Sequence, residues 1–227
     1  MNEKNGILYG VGVGPGDPEL MTLKAVKCIR QADVIFCPQQ DSRAFRIAEQ
    51  AVPEIREKKC LSCDFKMTRD PAELKRVHEG AYREIKKQLQ EGKKVAFLTI
   101  GDTSVYSTFS YVAQKAHAAG FHVETVPGPT AFLASASRLG ISLCEGDEEL
   151  HIGTGQSDIE QLLVLPGTKI IMKCGRNLPK IKAILREREE EQRIKVWAVS
   201  DCGMETEKIH TGADEIPETY MTTIIVK

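Results

Sequence analysis

Apolar and polar positions along this chain switch between short apolar runs of strand length and longer stretches with helical spacing. Residues 7–13 form an apolar run broken by Gly10 and Gly12, and 19–31 then carry Leu20, Leu23, Val26, Cys28 and Ile29 near helical spacing. The alternation continues with a buried-strand pattern over 33–37 and a helix over 43–51. The segment 58–67, KKCLSCDFKM, reads as a strand. A long amphipathic helix follows over 71–91, with Pro71 at its start and Gly92 at its end. Residues 94–100 are the clearest strand and run into Gly101; 105–119 reads as a helix closing on Gly120, and 122–126 as a strand. Beyond Pro127-Gly128-Pro129, the pattern predicts helices at 130–139, 157–163 and 178–190. It predicts strands at 149–153, 168–173, 194–200 and 219–226, with 141–149 as loop.

This order of elements predicts an α/β fold with a largely parallel sheet. The two prolines around Gly128 stop regular structure and mark a boundary, giving an N-terminal α/β domain over 1–125 and a C-terminal one over 126–227. A length of 227 residues is long for one domain and comfortable for two small ones.

Charge and cysteine content narrow the class. Lys plus Arg total 31 against 32 for Asp plus Glu, so no net field draws nucleic acid or an anionic membrane. No segment approaches the roughly 20 apolar residues that span a bilayer. The opening MNEKNGILYG lacks the apolar stretch of a signal peptide, so a cytoplasmic location is expected. Seven cysteines, an odd number, argue against a disulfide framework. Cys60 and Cys63 form a C-x-x-C without a second Cys or His pair, and in a strand they point to opposite faces; no metal site is expected. The run REREEEQR at 186–193 is the solvated face and end of a helix.

Three loops carry the candidate chemistry. The first, GVGVGPGDP from Gly10, fails the dinucleotide fingerprint because Pro15 and Asp17 stand where glycine is required, and it lacks the Gly-Lys-Ser/Thr end of a P-loop. It is either a backbone that approaches a ligand closely or a tight strand-to-helix turn. The second, with Gly101 and Asp102, follows a strand where open α/β sheets place ligands; Asp102 accepts hydrogen bonds from a ligand or caps a helix starting near Ser104. The third, VPGPTA, offers Thr130 as helix cap or ligand contact.

Taken together, GVGPGDPELMTLKAVKCIRQADVI, the Gly101-Asp102 loop, VPGPTAF and MKCGRNLPKI resemble, in order and spacing, the tetrapyrrole (corrin/porphyrin) methyltransferase family over nearly the whole chain. Within it, MTRDPAEL, GDTSVYSTFSYV and SRLGISLCEGDEEL resemble most the C20-methyltransferases of precorrin-2 and cobalt-factor II. The resemblance implies two α/β domains that hold S-adenosylmethionine between them, a homodimer, and methylation of C-20 of the tetrapyrrole in cobalamin biosynthesis. It places Pro15, Ile100, Gly101, Asp102, Val105, Tyr106, Thr130, Ala131, Met172, Cys202, Thr222 and Thr223 at the cofactor. Thr103 stands where the family often has proline, and Glu205 replaces the proline of a late Thr-x-Pro-x-Glu pattern.

A substrate rich in carboxylates calls for Arg or Lys nearby; Arg43 and Arg46 are candidates, or else solvent-facing helix residues. Tyr106 packs on the macrocycle or cofactor, or lies in the core. None of His117, His122 and His151 is assigned as a base. Competing readings are another corrin position, uroporphyrinogen III or a diphthine precursor as acceptor, a non-catalytic binding module, and a dehydrogenase.

Overall fold

The computed structural model describes residues 6–37, 42–62, 70–191, 193–219 and 221–227. The chain divides into two compact units, the first ending at Thr130 and the second beginning at Ala131. Of the segments read from sequence, residues 63–67 of the strand read over 58–67, Cys63 among them, lie outside the described residues.

The first unit is built on one parallel sheet of β1 (Ile7–Gly12), β2 (Val34–Cys37), β3 (Lys59–Ser62), β4 (Lys94–Thr99) and β5 (His122–Val126), in the order β3-β2-β4-β1-β5. Apart from the edges, these strands are buried, as continuous apolar runs in a parallel sheet should be. One face carries Leu8, Val34, Phe36, Val95 and Phe97 against α3 (Pro71–Gln90) and α4 (Phe109–Ala118). Phe97 stacks on Phe36 at 5.1 Å between centroids and meets Phe109 at 5.5 Å. A side chain at Gly10 would stand 2.2 Å from the Phe109 ring, so β1 must lack one there for α4 to dock. α1 (Leu23–Gln31) and α2 (Arg43–Ala51) complete the unit, capped by Thr22 and Ser42, whose hydroxyls accept from Ala25 N and Phe45 N.

The connection leaving β1 runs to β2 on one side of the sheet order, and the one leaving β4 runs to β5 on the other. The neighbouring pair β1 and β4 is therefore a topological switch point, the place where open parallel sheets leave a crevice at their carboxyl ends.

The second unit has a mixed sheet in the order β6-β7-β10-β8-β9, from β6 (Leu150–Thr154), β7 (Thr168–Met172), β8 (Val196–Ser200), β9 (Lys208–Thr211) and β10 (Thr222–Val226). Only β6 and β7 run parallel; β10 is antiparallel to both β7 and β8, and β8 to β9. Ile171, Ile224 and Ala198 face α6 (Ile159–Val164) and α7 (Leu178–Glu190), while Ile170 and Ile225 face α5 (Ala131–Leu139).

Four expectations change. The largely parallel character holds in the first unit and not in the second, because β8, β9 and β10 follow one another without a crossover helix. The strand β9 was not anticipated. α1 starts at Leu23 and not near residue 19, since Pro18 opens a separate 3-10 turn that Asp17 caps, and Met21 is extended. α4 starts at Phe109 and not at 105, because Tyr106 sits at φ +50°, outside the helical region.

Candidate functional site

The loops after β1, β4 and β5 are tied to one another at the carboxyl end of the first sheet. Gly14 and Gly101 exchange backbone hydrogen bonds, 3.3 Å from Gly14 N and 2.8 Å from Gly101 N, and Val13 N donates to Thr99 O. Both glycines have positive φ, +78° and +71°. Asp102 makes the second tie. One carboxylate oxygen accepts from Ser104 N (2.7 Å) and the Ser104 hydroxyl, and the other accepts from Gly128 N at 3.0 Å. Asp102 therefore caps no helix; it joins the second loop to the third. Burial works against its charge, but the bonds from Ser104, Gly128 and Thr103 prevail and hold the carboxyl below the usual aspartate value.

Glycine is required for these loops to meet. A Cβ at Gly12 would lie 2.6 Å from Gly101 O and 2.7 Å from Gly128 N, and one at Gly128 would collide with Gly12. At Gly101, by contrast, the place of a Cβ has only Pro129 O, 4.0 Å away. Gly101 itself is buried, and the space on its Cβ side is left open within a tightly closed seam. Thr130 follows directly: its Oγ1 is buried and has no hydrogen-bond partner among the described residues. A buried hydroxyl without a partner is costly unless a ligand or water completes it, which favours the contact reading of Thr130 over the cap reading. None of the three loops carries Lys or Arg, so a ligand there would meet backbone and small side chains.

Pro15 is buried in the first loop, and Ile100 and Val105 are half-buried in the second. Tyr106 is 42% exposed, which removes its core reading. Arg43 and Arg46 lie exposed on α2, which packs beside the Pro18–Leu20 turn; Leu20 and Leu23 there are exposed too, at 39% and 89%.

In the second unit, Met172 and Thr223 stand opposite each other on β7 and β10, and Thr223 stands opposite Val199 on β8. Cys202 packs on Val199 and on Ala134 of α5. Met172, Thr223 and Cys202 thus gather on the α5 side of the sheet, where Ala131 begins the helix. Strand alternation sends Thr222 to the opposite face, where its hydroxyl lies 2.7 Å from that of Thr219. Burial pushes the Cys202 and Cys174 thiols up to about 11, so neither is a thiolate nucleophile near neutral pH.

Sequence reasoning used Gly128 only as part of a boundary and missed its bond to Asp102. The available signal was the glycine itself, placed between prolines just after a strand. His122 begins β5, at the end of the strand away from the loops, and is exposed like His117; His151 is half-buried on β6.

The family model of tetrapyrrole (corrin/porphyrin) methylases matches residues 7–216. The chain is 36% identical to a probable cobalt-precorrin-2 C(20)-methyltransferase of Methanocaldococcus jannaschii, covering 100% of this chain and 98% of that protein. It is 28% identical to the cobalt-precorrin-2 C(20)-methyltransferase of Salmonella typhimurium, over 98% of this chain and 96% of the relative. A solved cobalt precorrin-4 methyltransferase superposes with a TM-score of 0.73 at 20% identity, covering 97% of this chain and 94% of its own. The uroporphyrin-III C-methyl transferase of Thermus thermophilus, solved with S-adenosyl homocysteine, gives a TM-score of 0.71 at 20% identity, with 97% of each chain covered. With a family match over most of its length and a full-length relative at 36% identity, the chain belongs to the tetrapyrrole (corrin/porphyrin) methylases.

Proposed function

We propose that this protein transfers a methyl group from S-adenosylmethionine to C-20 of cobalt-precorrin-2 or precorrin-2 in corrin synthesis. The observation that carries the acceptor is the full-length likeness to relatives bearing that activity in their names, at 36% and 28% identity. The cofactor reading is supported by the cradle itself: open space on the Cβ side of Gly101, and a buried hydroxyl at Thr130 without a partner among the described residues.

When bound, S-adenosylmethionine supplies an electrophilic methyl on a sulfonium. The chain's part is to fix its partner and to keep water out. Pro15, Ile100, Gly101, Asp102, Val105 and Thr130 are assigned to the cofactor in the first unit, and Ala131, Met172, Cys202 and Thr223 in the second; Tyr106 and Thr222 are assigned on the resemblance alone. Asp102 acts by holding the loop that carries Gly101, because its bonds go to Thr103, Ser104 and Gly128 of the loops themselves. Arg43 and Arg46, with exposed Leu20 and Leu23 nearby, form a surface of apolar and cationic character matched to a macrocycle fringed with carboxylates. A meso carbon of such a ring is enamine-like, so positioning on the transfer axis supplies most of the acceleration. The described residues include no helix long and apolar enough to cross a membrane, and we place the enzyme in the cytoplasm as a homodimer.

The test is methyl transfer from labelled S-adenosylmethionine to precorrin-2 and cobalt-factor II, supplied separately, with NMR of the product. A new methyl at C-20 establishes the reading, and the better acceptor decides the form of the ring. Transfer to uroporphyrinogen III or to another corrin carbon in its place overturns the acceptor while leaving the family intact.

A further inference from the structure

We propose that Glu207 is a positioning residue for the cofactor pocket, acting through the loop that carries Cys202. The inference rests on the assignment of Cys202 to that pocket.

After β8 the chain turns at Asp201, whose φ of +48° is a left-handed conformation that a non-glycine residue adopts only when held. Cys202 and Gly203 follow, and the loop closes at Glu207, the residue before β9. The Glu207 carboxylate is the brace of this loop. One oxygen accepts from Gly203 N at 2.6 Å, and the other accepts from Arg138 Nε at 2.6 Å. Thr206 adds a bond from its hydroxyl to Asp201 Oδ2 at 3.1 Å, and Glu207 N donates to Met204 O. Arg138 stands in the last turn of α5, the helix that Ala131 begins and against which Cys202 packs through Ala134. One carboxylate thus fixes the backbone immediately after Cys202 to the helix beneath it.

The burial of the two partners separates a positioning role from a purely stabilising one. The Glu207 side chain is only 11% exposed, but Arg138 is 60% exposed, and ion pairs with so exposed a partner contribute little to global stability. What the pair does control is the place of a strained seven-residue turn at the carboxyl end of β8, residues 201–207. Removing the brace therefore acts on ligand binding more than on the folding of the unit. Burial of Glu207 opposes its charge, and the bonds from Gly203 and Arg138 outweigh that and keep it ionised.

The experiment uses the full chain and S-adenosylhomocysteine as calorimetric probe, with steady-state KM for S-adenosylmethionine and for the tetrapyrrole, and Tm as control. Glu207→Ala is expected to weaken probe binding by about tenfold and to raise the KM for S-adenosylmethionine alike. The tetrapyrrole KM and Tm stay near wild type. Glu207→Gln, which keeps an acceptor for Gly203 N, recovers most of the loss, and Arg138→Met falls between the two. Unchanged probe affinity in Glu207→Ala, or an equal rise in both KM values, overturns the proposal. If Glu207→Ala does not fold, Arg138→Met decides, and unchanged affinity there overturns it. Cys202→Leu separates the two levels of inference. If it leaves probe binding intact, the assignment of Cys202 to the pocket falls; if it abolishes binding while Glu207→Ala does not, only the role of Glu207 falls.

Discussion

Asp102 shows how much a single side chain does in this protein. Its two oxygens take hydrogen bonds from two loops, and an asparagine has only one acceptor oxygen to offer. Asp102→Asn is expected to cost about 1–2 kcal/mol of stability and to weaken S-adenosylhomocysteine binding, measurable by chemical denaturation and calorimetry. The carboxyl is held below its ordinary value of 3.8, so its contribution is complete above that pH and is lost as pH falls through the lower folded value. An acid titration of stability should therefore show a drop below about pH 4 in the wild type that is smaller in Asp102→Asn. Gly12 makes the complementary point. With backbone of two other loops within 2.7 Å of its missing Cβ, Gly12→Ala must force the seam apart, at about 1–3 kcal/mol by thermal melting. The sequence announced these residues as a glycine-rich loop and an aspartate after a strand. Which glycine meets which partner was not legible, because Asp102 and Gly128 are 26 positions apart and are joined only by the strand order.

At the scale of elements, hydrophobic period located nearly every strand and helix, since burial on one or both faces leaves a direct mark on residue type. It failed where the cause was not period. Residues 105–108 continue the period of the helix read over 105–119, yet the left-handed Tyr106 delays α4 to Phe109. β9 escaped notice because it is a mostly exposed edge strand, Lys-Ile-His-Thr, with no apolar run to reveal it. The docking of α4 on β1 depends on the fit of Phe109 over Gly10. Phe109→Ala removes a ring that is 1% exposed and should destabilise the chain by about 3–5 kcal/mol in urea unfolding.

For the whole molecule, the parallel sheet of the first unit follows from strand–helix alternation, whereas the direction of β10 in the second does not. Three successive strands joined by turns and a short 3-10 segment can pair in more than one way, and sequence period carries no sign of direction. The functional reading at this scale predicts a ligand-linked stability. S-adenosylhomocysteine at about a hundred times its Kd should stabilise the full chain by about 2.7 kcal/mol, seen as a concentration-dependent rise in Tm. NADH at the same concentration should leave Tm unchanged, and a rise with NADH alone would return the dehydrogenase reading to contention.

The central place of β10 in the second sheet bears on the order in which the chain is made. β7 and β8 never pair with each other; each leans on β10, whose residues 222–226 come last among the strands. During synthesis, the first unit has all its strands once residue 126 has emerged and is free to close. The β6–β7 and β8–β9 pairs of the second must wait, with apolar edges bare, for the strand that joins them. A chain cut short before residue 222 is therefore expected to lack the strand that joins the β6–β7 and β8–β9 pairs into one sheet.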